Sequence, residues 1–498
     1  MNRPGPVSSL PDVRVRPESL VLHAGAEFAL ADTPQGQRLV VRSAAPELTR
    51  MFDGEYGEQD GRGVVVGPLT AVNAARLRQH LAWLTPAPLG QCVSFGFGDR
   101  LGLATPGHVR ALRKAGGTIL PVFAQQSARE LLRTNRTAQD VLDAATWGAF
   151  GSGWTGPQGA DADHLKTTAD IDAYLAAGFS MFTIDPGEHV GRVAPDATPA
   201  DLLVAFERLP WSALEDTAAD TRQRYAGRTL EFEGHRLTCT DEDVRRAAVK
   251  YGRAVLHVTT MWRHLCAAAG ARPVELEVSV DETDDRTTPI EHVYVAGELK
   301  RLGVRWSSLA PRLVGRFEKG VDYLGDTQAF SADWRIHAAI ARHFGPYRLS
   351  LHSGSDKFSI YGAVAEHSRG AVHVKTAGTS WLEAVRTIAA ADAALFREIY
   401  AVAFAHYDED RASYHVSAQT ERAPKLQALA DGELPGMLDH FDARQILHVA
   451  FGSVLKTPRQ GSPSTLGRAI LDTLRMHDDR YAANLEAHFV RHLRPFAG

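Results

Sequence analysis

The stretch Val274-Glu275-Leu276-Glu277-Val278-Ser279-Val280-Asp281 alternates apolar and polar side chains without a break. Because successive residues of a β-strand point to opposite faces, one face of this strand is entirely aliphatic. The aliphatic face suits packing against helices, which leaves Glu275, Glu277, Ser279 and Asp281 pointing into the interior of a sheet structure. An isolated carboxylate there is costly, so the pattern predicts that the interior holds a polar site.

Two later stretches repeat this alternation. YRLSLH (347–352) and AVHVKT (371–376) place Arg348, His352 and Lys375 on the polar face of their strands. An antiparallel sheet with one solvent-exposed face has the same alternation, and each strand taken alone also fits that arrangement. Three such strands among alternating strand and helix patterns favour a barrel with a polar interior.

Eight short apolar or alternating runs recur along the chain, separated by helical patterns such as Ser127–Ala145 and His164–Ala177. Strands that alternate with helices form parallel sheets, and eight of them close a (β/α)8 TIM-like barrel. The predicted strands are Cys92–Gly98, Thr118–Phe123, Ala144–Phe150, Phe179–Asp185, Val274–Val280, Gly303–Leu309, Tyr347–His352 and Ala371–Thr376.

The rest of the chain is expected to surround this α/β barrel. Residues 1–85 contain β-like pieces and predict a small N-terminal cap, while residues 86–400 form the catalytic barrel. A mostly helical insertion is predicted after strand 4, at residues 187–271. Residues 401–498 predict a helical C-terminal extension packed on the barrel.

The composition is that of an ordinary folded protein, with 498 residues, 44% hydrophobic and 23% charged. A net charge of −4 does not favour a nucleic-acid or membrane surface. Three scattered cysteines indicate neither a disulfide framework nor a zinc ribbon. Residues 1–12 lack the apolar core of a signal peptide, and no apolar run is long enough to cross a membrane. We therefore expect a cytoplasmic protein; the oligomeric state stays open.

The first predicted strand ends in GDRLG (98–102), followed by a helix start at Thr105 and Pro106. Helix N-termini bind anions, and Arg100 has the guanidinium geometry that clamps a carboxylate or phosphate. A capped turn with an Asp–Arg pair fits the same residues equally well.

The segment DADHLK (161–166) follows a Gly-rich loop and predicts a helix start near the barrel mouth. His164 is a candidate metal ligand and Asp163 a candidate proton acceptor. A helix-capping Asp beside an incidental His also fits. The turn Asp185–His189 is a second cluster that is able to supply ligands.

The loops after the last three strands carry further polar groups. Pro311–Asp326 contains Glu318, a possible oxygen ligand, although a solvated charged loop has the same composition. His352 ends the seventh strand, where a metal ligand or a hydrogen-bonded core histidine is expected. Two histidines with one carboxylate form a common catalytic metal arrangement. No zinc-finger or HExxH spacing is present.

Five sequence blocks resemble the tagaturonate epimerase family, whose members act on ketose sugar acids. The resemblance extends from about residue 90 to residue 400. Its blocks are GFGDRLGLATPGH (96–108), DADHLK (161–166), GRFEKGVDYLGD (315–326), LHSGSDKFSIY (351–361) and HVKTAGTSWLEA (373–384).

This resemblance implies a divalent-metal-dependent epimerase that interconverts D-tagaturonate and D-fructuronate in hexuronate catabolism. It implies His164, Glu318 and His352 as metal ligands and Asp163 with Glu277 as the acid/base pair. Zn, Mn, Ni and Co each suit such a site. The small-molecule ketose sugar acid is the expected partner, and the candidate substrate-binding residues are Arg100, Lys166, Asp356, Lys357, His373 and Lys375.

The two sugar acids differ at a carbinol carbon that is β to the ketone, so simple proton abstraction gives no stabilised carbanion there. Retro-aldol cleavage and re-addition is one route that avoids this problem. Transient oxidation needs a nicotinamide site, and no GxGxxG follows a strand. The alternatives are a metal-dependent sugar isomerase or aldolase on the same barrel, and a non-catalytic sugar-acid-binding protein, which leaves the inward carboxylates unexplained.

Overall fold

The computed structural model describes residues 13–192, 197–283, 285–459, 461 and 463–498. Its centre is a closed barrel in which each strand pairs in parallel with its neighbours along the chain and the eighth pairs with the first. This confirms the predicted TIM-like barrel. The strands are β1 (Val93–Gly98), β2 (Leu120–Ser127), β3 (Gly159–Leu165), β4 (Met181–Ile184), β5 (Glu275–Val280), β6 (Ser308–Pro311), β7 (Arg348–Leu351) and β8 (Val372–Thr376).

Helices surround the barrel, and several begin at a threonine whose side chain caps the helix. Thr167 with Asp170, and Thr288 with Glu291, form capping boxes in which each residue satisfies a backbone N–H of the other. The helices that connect the strands are Thr105–Ala115, Ala128–Thr134, Ala138–Gly151, Thr168–Ala177, Asp241–Ala269, Pro289–Arg301, Thr327–Phe344, Tyr361–Ser368 and Thr379–Ala391.

The predicted third strand is wrong. Residues 144–150 lie inside the helix Ala138–Gly151, and β3 is formed instead by Gly159–Leu165. This helix is buried on most of its surface, between the barrel and the N-terminal sheet, so its apolar run resembles a buried strand. As a consequence, Asp163 and His164 belong to a strand, and the next helix begins only at Thr168.

The N-terminal region is an antiparallel sheet, and the predicted β-like pieces Leu39–Arg42 and Val64–Val66 lie in two of its strands. Leu30 of this sheet packs near Gly151, and Arg78 forms an ion pair of 2.8 Å with Asp143 on a barrel helix. The strands are Arg14–Val15, Val21–His23, Ala26–Thr33, Gly36–Ser43, Glu55–Gln59 and Arg62–Gly67, with short helices Pro46–Thr49 and Ala71–His80. Residues 1–12, in which we expect no signal peptide, lie outside the described residues.

The insertion after β4 is mostly helical, as expected. It contains the helices Pro199–Glu207 and Ala218–Tyr225 and a small hairpin of Thr229–Phe232 with His235–Thr238, and it leads into the long helix Asp241–Ala269. The hairpin is a feature that the sequence pattern does not reveal, since its strands are only four residues each.

The C-terminal residues form helices that pack on the barrel. Leu485 lies so close to Gly107 that a Cβ at position 107 would be 2.5 Å from the Leu485 Cβ. These helices are Ala393–Asp410, Phe441–Val449, Phe451–Lys456, Leu466–Met476 and Asp478–Leu493. We retain the division at residues 85 and 400 as a proposal. None of the helices in the described part of the chain is long and apolar enough to cross a membrane.

Candidate active site

The barrel interior holds a buried network of ion pairs centred on Lys375 of β8. The Lys375 Nζ lies 2.6 Å from the Asp161 Oδ2, 2.7 Å from the Asp163 Oδ1 and 2.8 Å from the Glu277 Oε1. It also donates a hydrogen bond to the Thr183 hydroxyl. One ammonium therefore faces three buried carboxylates, which leaves an excess of negative charge in the interior.

This excess charge is visible at Asp161. Burial raises the pKa of Asp161 to about 6; Lys375 opposes the shift, while Asp163 and Glu277 add to it. In contrast, the pKa of Glu277 is held well below its ordinary value, although burial opposes this, because Lys375 and His352 stabilise its charge. The interior thus contains ionised carboxylates beside one that titrates close to neutrality.

Two histidines lie above this network, at the carboxyl ends of β3 and β7. Their ring centroids are 5.0 Å apart. The His164 Nδ1 lies 2.8 Å from the Asp163 Oδ1, and the His352 Nε2 lies 2.6 Å from the Glu277 Oε1. The other ring nitrogens face Asp281, at 3.9 Å for the His164 Nε2 and 2.9 Å for the His352 Nδ1. Each ring is thus held by one carboxylate and turned toward another.

A local bulge places Asp163 and His164 together. The register between β3 and β4 shifts at this point, and His164 has a left-handed backbone with φ of 55°. A bulge inserts an extra residue and re-aims side chains, so the ordinary alternation of the strand is interrupted. Both consecutive side chains therefore reach the same cluster.

The cluster fits a divalent cation. One ligand atom from each of His164, Asp281 and His352 lies within 4.8 Å of the other two, and a second such group joins His164 to Asp185 and Glu282. The buried His164 Nε2 has no hydrogen-bond partner. Two imidazoles and a carboxylate form the donor set that transition metals and zinc accept.

The protonation of these histidines supports the same interpretation. Burial opposes the charge on His164, but nearby carboxylates, Asp163 above all, raise its pKa to about 10. The pKa of His352 rises to about 9 against the same opposition from burial, chiefly because of Asp281. The carboxylates therefore favour positive charge at the two rings, which protons or a bound metal ion would supply.

A cavity that is partly open to solvent adjoins the cluster. Because it lies over the carboxyl ends of the strands, it occupies the position where barrel enzymes bind substrate. Its lining combines residues of β6 and β7, the loops that follow β5, β6 and β7, the helix Ala128–Thr134 and part of the C-terminal extension. These residues are Arg129, Asp281, Glu282, Pro311, Arg312, Leu313, Phe317, Lys319, Ser350, Leu351, His352, Ser353, Tyr414 and His415.

Glu318, the third predicted ligand, does not join the two histidines in this structure. Its carboxylate accepts hydrogen bonds from the Ser417 hydroxyl at 2.6 Å and from the Gln445 side-chain amide at 3.0 Å. Asp281 occupies the corresponding place beside His164 and His352.

Among the predicted substrate-binding residues, Lys375 lies in the network beneath the histidines, while Arg100 and Lys166 are engaged elsewhere. Arg100 is buried, forms an ion pair of 2.8 Å with Glu130 and lies over the Phe451 ring. Lys166 is half-exposed and forms an ion pair of 2.8 Å with Glu188. Neither residue lines the cavity.

The remaining three predicted substrate contacts are also committed to internal partners. Asp356 forms an ion pair with Arg444 at 2.9 Å, and the Lys357 ammonium donates to three backbone carbonyls. Burial lowers the pKa of Lys357 to about 8. His373 is hydrogen-bonded to the Ser94 hydroxyl inside the barrel, where burial lowers its pKa well below the ordinary value.

Several residues of this site were not assigned a role from the sequence. Asp281 directly follows β5 on its polar face, so the alternation places it inside the barrel. The sequence does not show that it lies beside His164, because that contact depends on the bulge in β3. Arg312 directly follows Pro311, the last residue of β6. The sixth strand was predicted too early, at Gly303–Leu309, so the sequence did not place Arg312 at the end of a strand.

Comparison with known proteins identifies the family. The profile of the tagaturonate epimerase family matches residues 17–496. The chain is 40% identical over 467 residues to the tagaturonate/fructuronate epimerase of Thermotoga maritima, covering 94% of this chain and 93% of that protein. Native and glycerol-complexed crystal structures of the fructuronate-tagaturonate epimerase from Cohnella laeviribosi superimpose with a TM-score of 0.91 at 36% identity. The native structure covers 98% of this chain and 97% of its own. The sequence blocks, the barrel and these relatives agree, and the chain belongs to the tagaturonate epimerase family.

Proposed function

We propose that this enzyme interconverts D-tagaturonate and D-fructuronate with the help of a divalent metal ion. The observation that carries the proposal is the convergence of His164, His352 and Asp281 beside a cavity at the carboxyl ends of the strands. The names of the Thermotoga and Cohnella relatives supply the substrate pair.

His164, His352 and Asp281 would hold the metal, which supplies Lewis-acid stabilisation of charge on the substrate's ketone oxygen. Zn, Mn, Ni and Co all accept such nitrogen and oxygen donors. Glu318 stays a predicted ligand from the family resemblance; to serve as one, its carboxylate has to leave Ser417 and Gln445.

The proposed chemistry is a retro-aldol cleavage followed by re-addition. A base takes the proton from the hydroxyl on the epimeric carbon, and that carbon becomes an aldehyde as the neighbouring C–C bond breaks. The electron pair of this bond passes to the ketone fragment, which becomes an enediolate. After the aldehyde turns over, the bond forms again on its other face and the proton returns to the oxygen.

We propose Asp163 and Glu277 as the acid/base pair, as the resemblance implies. The pKa of each carboxyl is held well below its ordinary value, so both are ionised and able to accept a proton; because neither lines the cavity, the substrate hydroxyl has to reach them past the two histidines. The contacts also support a positioning role, because each carboxylate bonds the ring nitrogen that faces away from Asp281. Carboxylates in that position fix the tautomer and orientation of ligating histidines.

We further propose a cytoplasmic role in hexuronate catabolism. The three cysteines are free, which suits a reducing compartment. The ketose sugar acid is the only partner that the proposal requires.

The first test is an epimerisation assay on tagaturonate with purified enzyme, stripped with a chelator and then supplied with Zn, Mn, Ni or Co. We expect fructuronate to appear only after a metal is returned. An aldose or stable C–C cleavage products would instead favour a sugar isomerase or an aldolase. Equal turnover by the stripped enzyme would contradict the metal dependence.

A further inference from the structure

The substrate of the proposed reaction carries a carboxylate, and this charge needs a cation in the cavity. The four cations predicted from the sequence are already engaged by other groups. Arg100 and Lys166 pair with other carboxylates, Lys357 is bound by backbone carbonyls, and Lys375 is surrounded by three interior carboxylates.

Three other cationic side chains line the cavity, and two of them already have partners. Arg129 pairs with Glu282 at 3.4 Å and lies over the Tyr414 ring. The Lys319 ammonium donates to the Ser353 hydroxyl at 2.7 Å. Arg312 differs, because within the described part of the chain its guanidinium has no hydrogen-bond or ion-pair partner.

The backbone of Arg312 is nevertheless held firmly. Its N–H donates to the Thr287 hydroxyl at 3.1 Å, and its carbonyl accepts from the Thr287 N–H at 2.8 Å. The same hydroxyl is hydrogen-bonded at 2.9 Å to the phenol of Tyr251, a buried residue of the helix Asp241–Ala269. The anchored backbone fixes the position at the cavity wall from which the Arg312 side chain extends.

We propose that Arg312 binds the carboxylate of the substrate and thereby selects sugar acids over neutral ketoses. The inference rests on the proposed function. A guanidinium matches a carboxylate with two parallel hydrogen bonds, which a lysine does not reproduce. In the retro-aldol route, the carboxylate belongs to the aldehyde fragment, so Arg312 holds that fragment while its reacting carbon turns over.

The test compares two substrates that differ only in this charge: tagaturonate and the neutral ketose with a hydroxymethyl group in place of the carboxylate. Metal-loaded wild-type enzyme, Arg312→Gln and Arg312→Lys are assayed on both. We expect Arg312→Gln to lower kcat/KM for tagaturonate about 10- to 100-fold, mainly through KM, and to leave the neutral ketose nearly unchanged. We expect the kcat/KM of Arg312→Lys for tagaturonate to lie between the values for the wild type and Arg312→Gln. Arg335→Gln, on an exposed helix face away from the cavity, is the matched control and should behave as wild type.

A binding measurement covers the case in which the neutral ketose does not react. Calorimetry on the metal-loaded enzyme compares the hydroxy acid obtained by reducing tagaturonate with the alditol obtained by reducing the neutral ketose. We expect wild-type enzyme to prefer the acid and Arg312→Gln to lose this preference. An undiminished preference in Arg312→Gln would overturn the proposal, as would equal binding of both compounds by the wild type. Absence of fructuronate with the wild type would count against the proposed function alone, since binding tests Arg312 separately.

Discussion

At the scale of single residues, the site depends on His164. Its left-handed backbone lies where β3 departs from regular pairing with β4, and backbone strain of this kind is typical of functional positions. The bulge brings His164 to His352 across the barrel mouth, with Asp281 beside the ring nitrogens that Asp163 and Glu277 do not contact. Because of the same bulge, alternation along β3 does not predict that the Asp163 and His164 side chains both point into the cluster.

The metal ligands can be identified by calorimetry on chelator-stripped protein. We expect one divalent ion per chain, and we expect His164→Ala, His352→Ala and Asp281→Asn each to weaken binding roughly 100-fold or more. Asp163→Asn should cost about 10- to 100-fold, the effect of losing a carboxylate that orients a ligating histidine.

Glu318→Gln is the informative comparison. We expect it to retain the metal, because its carboxylate contacts Ser417 and Gln445 rather than the two histidines. Loss of binding in Glu318→Gln together with retention in Asp281→Asn would reverse this assignment and require the loop after β6 to move.

At the scale of elements, the helix Thr105–Ala115 joins β1 to the C-terminal extension. His108 on this helix is fully buried, stacks on Phe97 and is hydrogen-bonded to the Ser380 hydroxyl at 2.9 Å. Burial lowers the pKa of His108 to about 4, while Asp99 opposes the shift. The helix therefore packs with a neutral histidine in the folded state.

This packing predicts a dependence of stability on pH. The unfolded chain binds a proton at His108 below a pKa of about 6.5, whereas the folded chain does so only near pH 4, so stability falls as pH drops through this window. We expect this residue to account for about 3 kcal/mol of the free energy of unfolding lost by pH 4. Urea unfolding of wild type and His108→Gln between pH 8 and pH 4 measures it. Parallel pH profiles for the two proteins would contradict the expectation.

At the scale of the whole molecule, the C-terminal extension completes the site. Tyr414 and His415 form part of the cavity wall, and Ser417 and Gln445 hold the Glu318 side chain. Farther along, the helix Asp478–Leu493 lies against Thr105–Ala115, closely enough that position 107 has no room for a side chain. The cavity therefore needs both the barrel and the extension in place.

A pair of glycine substitutions tests this close contact. In Gly107→Ala the new Cβ would meet the Leu485 side chain at 2.5 Å and the Ala482 carbonyl at 3.1 Å. We expect destabilisation of about 1–3 kcal/mol, although alanine favours helices. Gly362→Ala, in the helix Tyr361–Ser368, meets nothing within 4 Å and should be neutral or stabilising by up to about 1 kcal/mol. Similar unfolding free energies for both variants would show that the two helices are not packed so tightly.

The sequence by itself determined the barrel, the family and the polar interior. Strict alternation along β5 and β8 identified Glu277 and Lys375 as inward residues, and their ion pair of 2.8 Å confirms this. Such patterns are local, because side chains of a regular strand alternate whatever lies opposite. The sequence blocks likewise identified the family without any knowledge of contacts.

Only the tertiary structure decided which charged groups meet. In it, Arg100, Lys166 and Lys357 bind other partners, and the third strand lies at Gly159–Leu165 instead of residues 144–150. Among the residues that the structure describes, the Arg312 guanidinium has no partner beside the cavity. The physical reason is that the partner of a charge is set by how the elements pack, as where Lys375 meets Asp163 across 212 positions of the chain. A bulge of one residue at His164 was enough to redirect a ligand, and the hydrophobic pattern of the sequence has no signal for it.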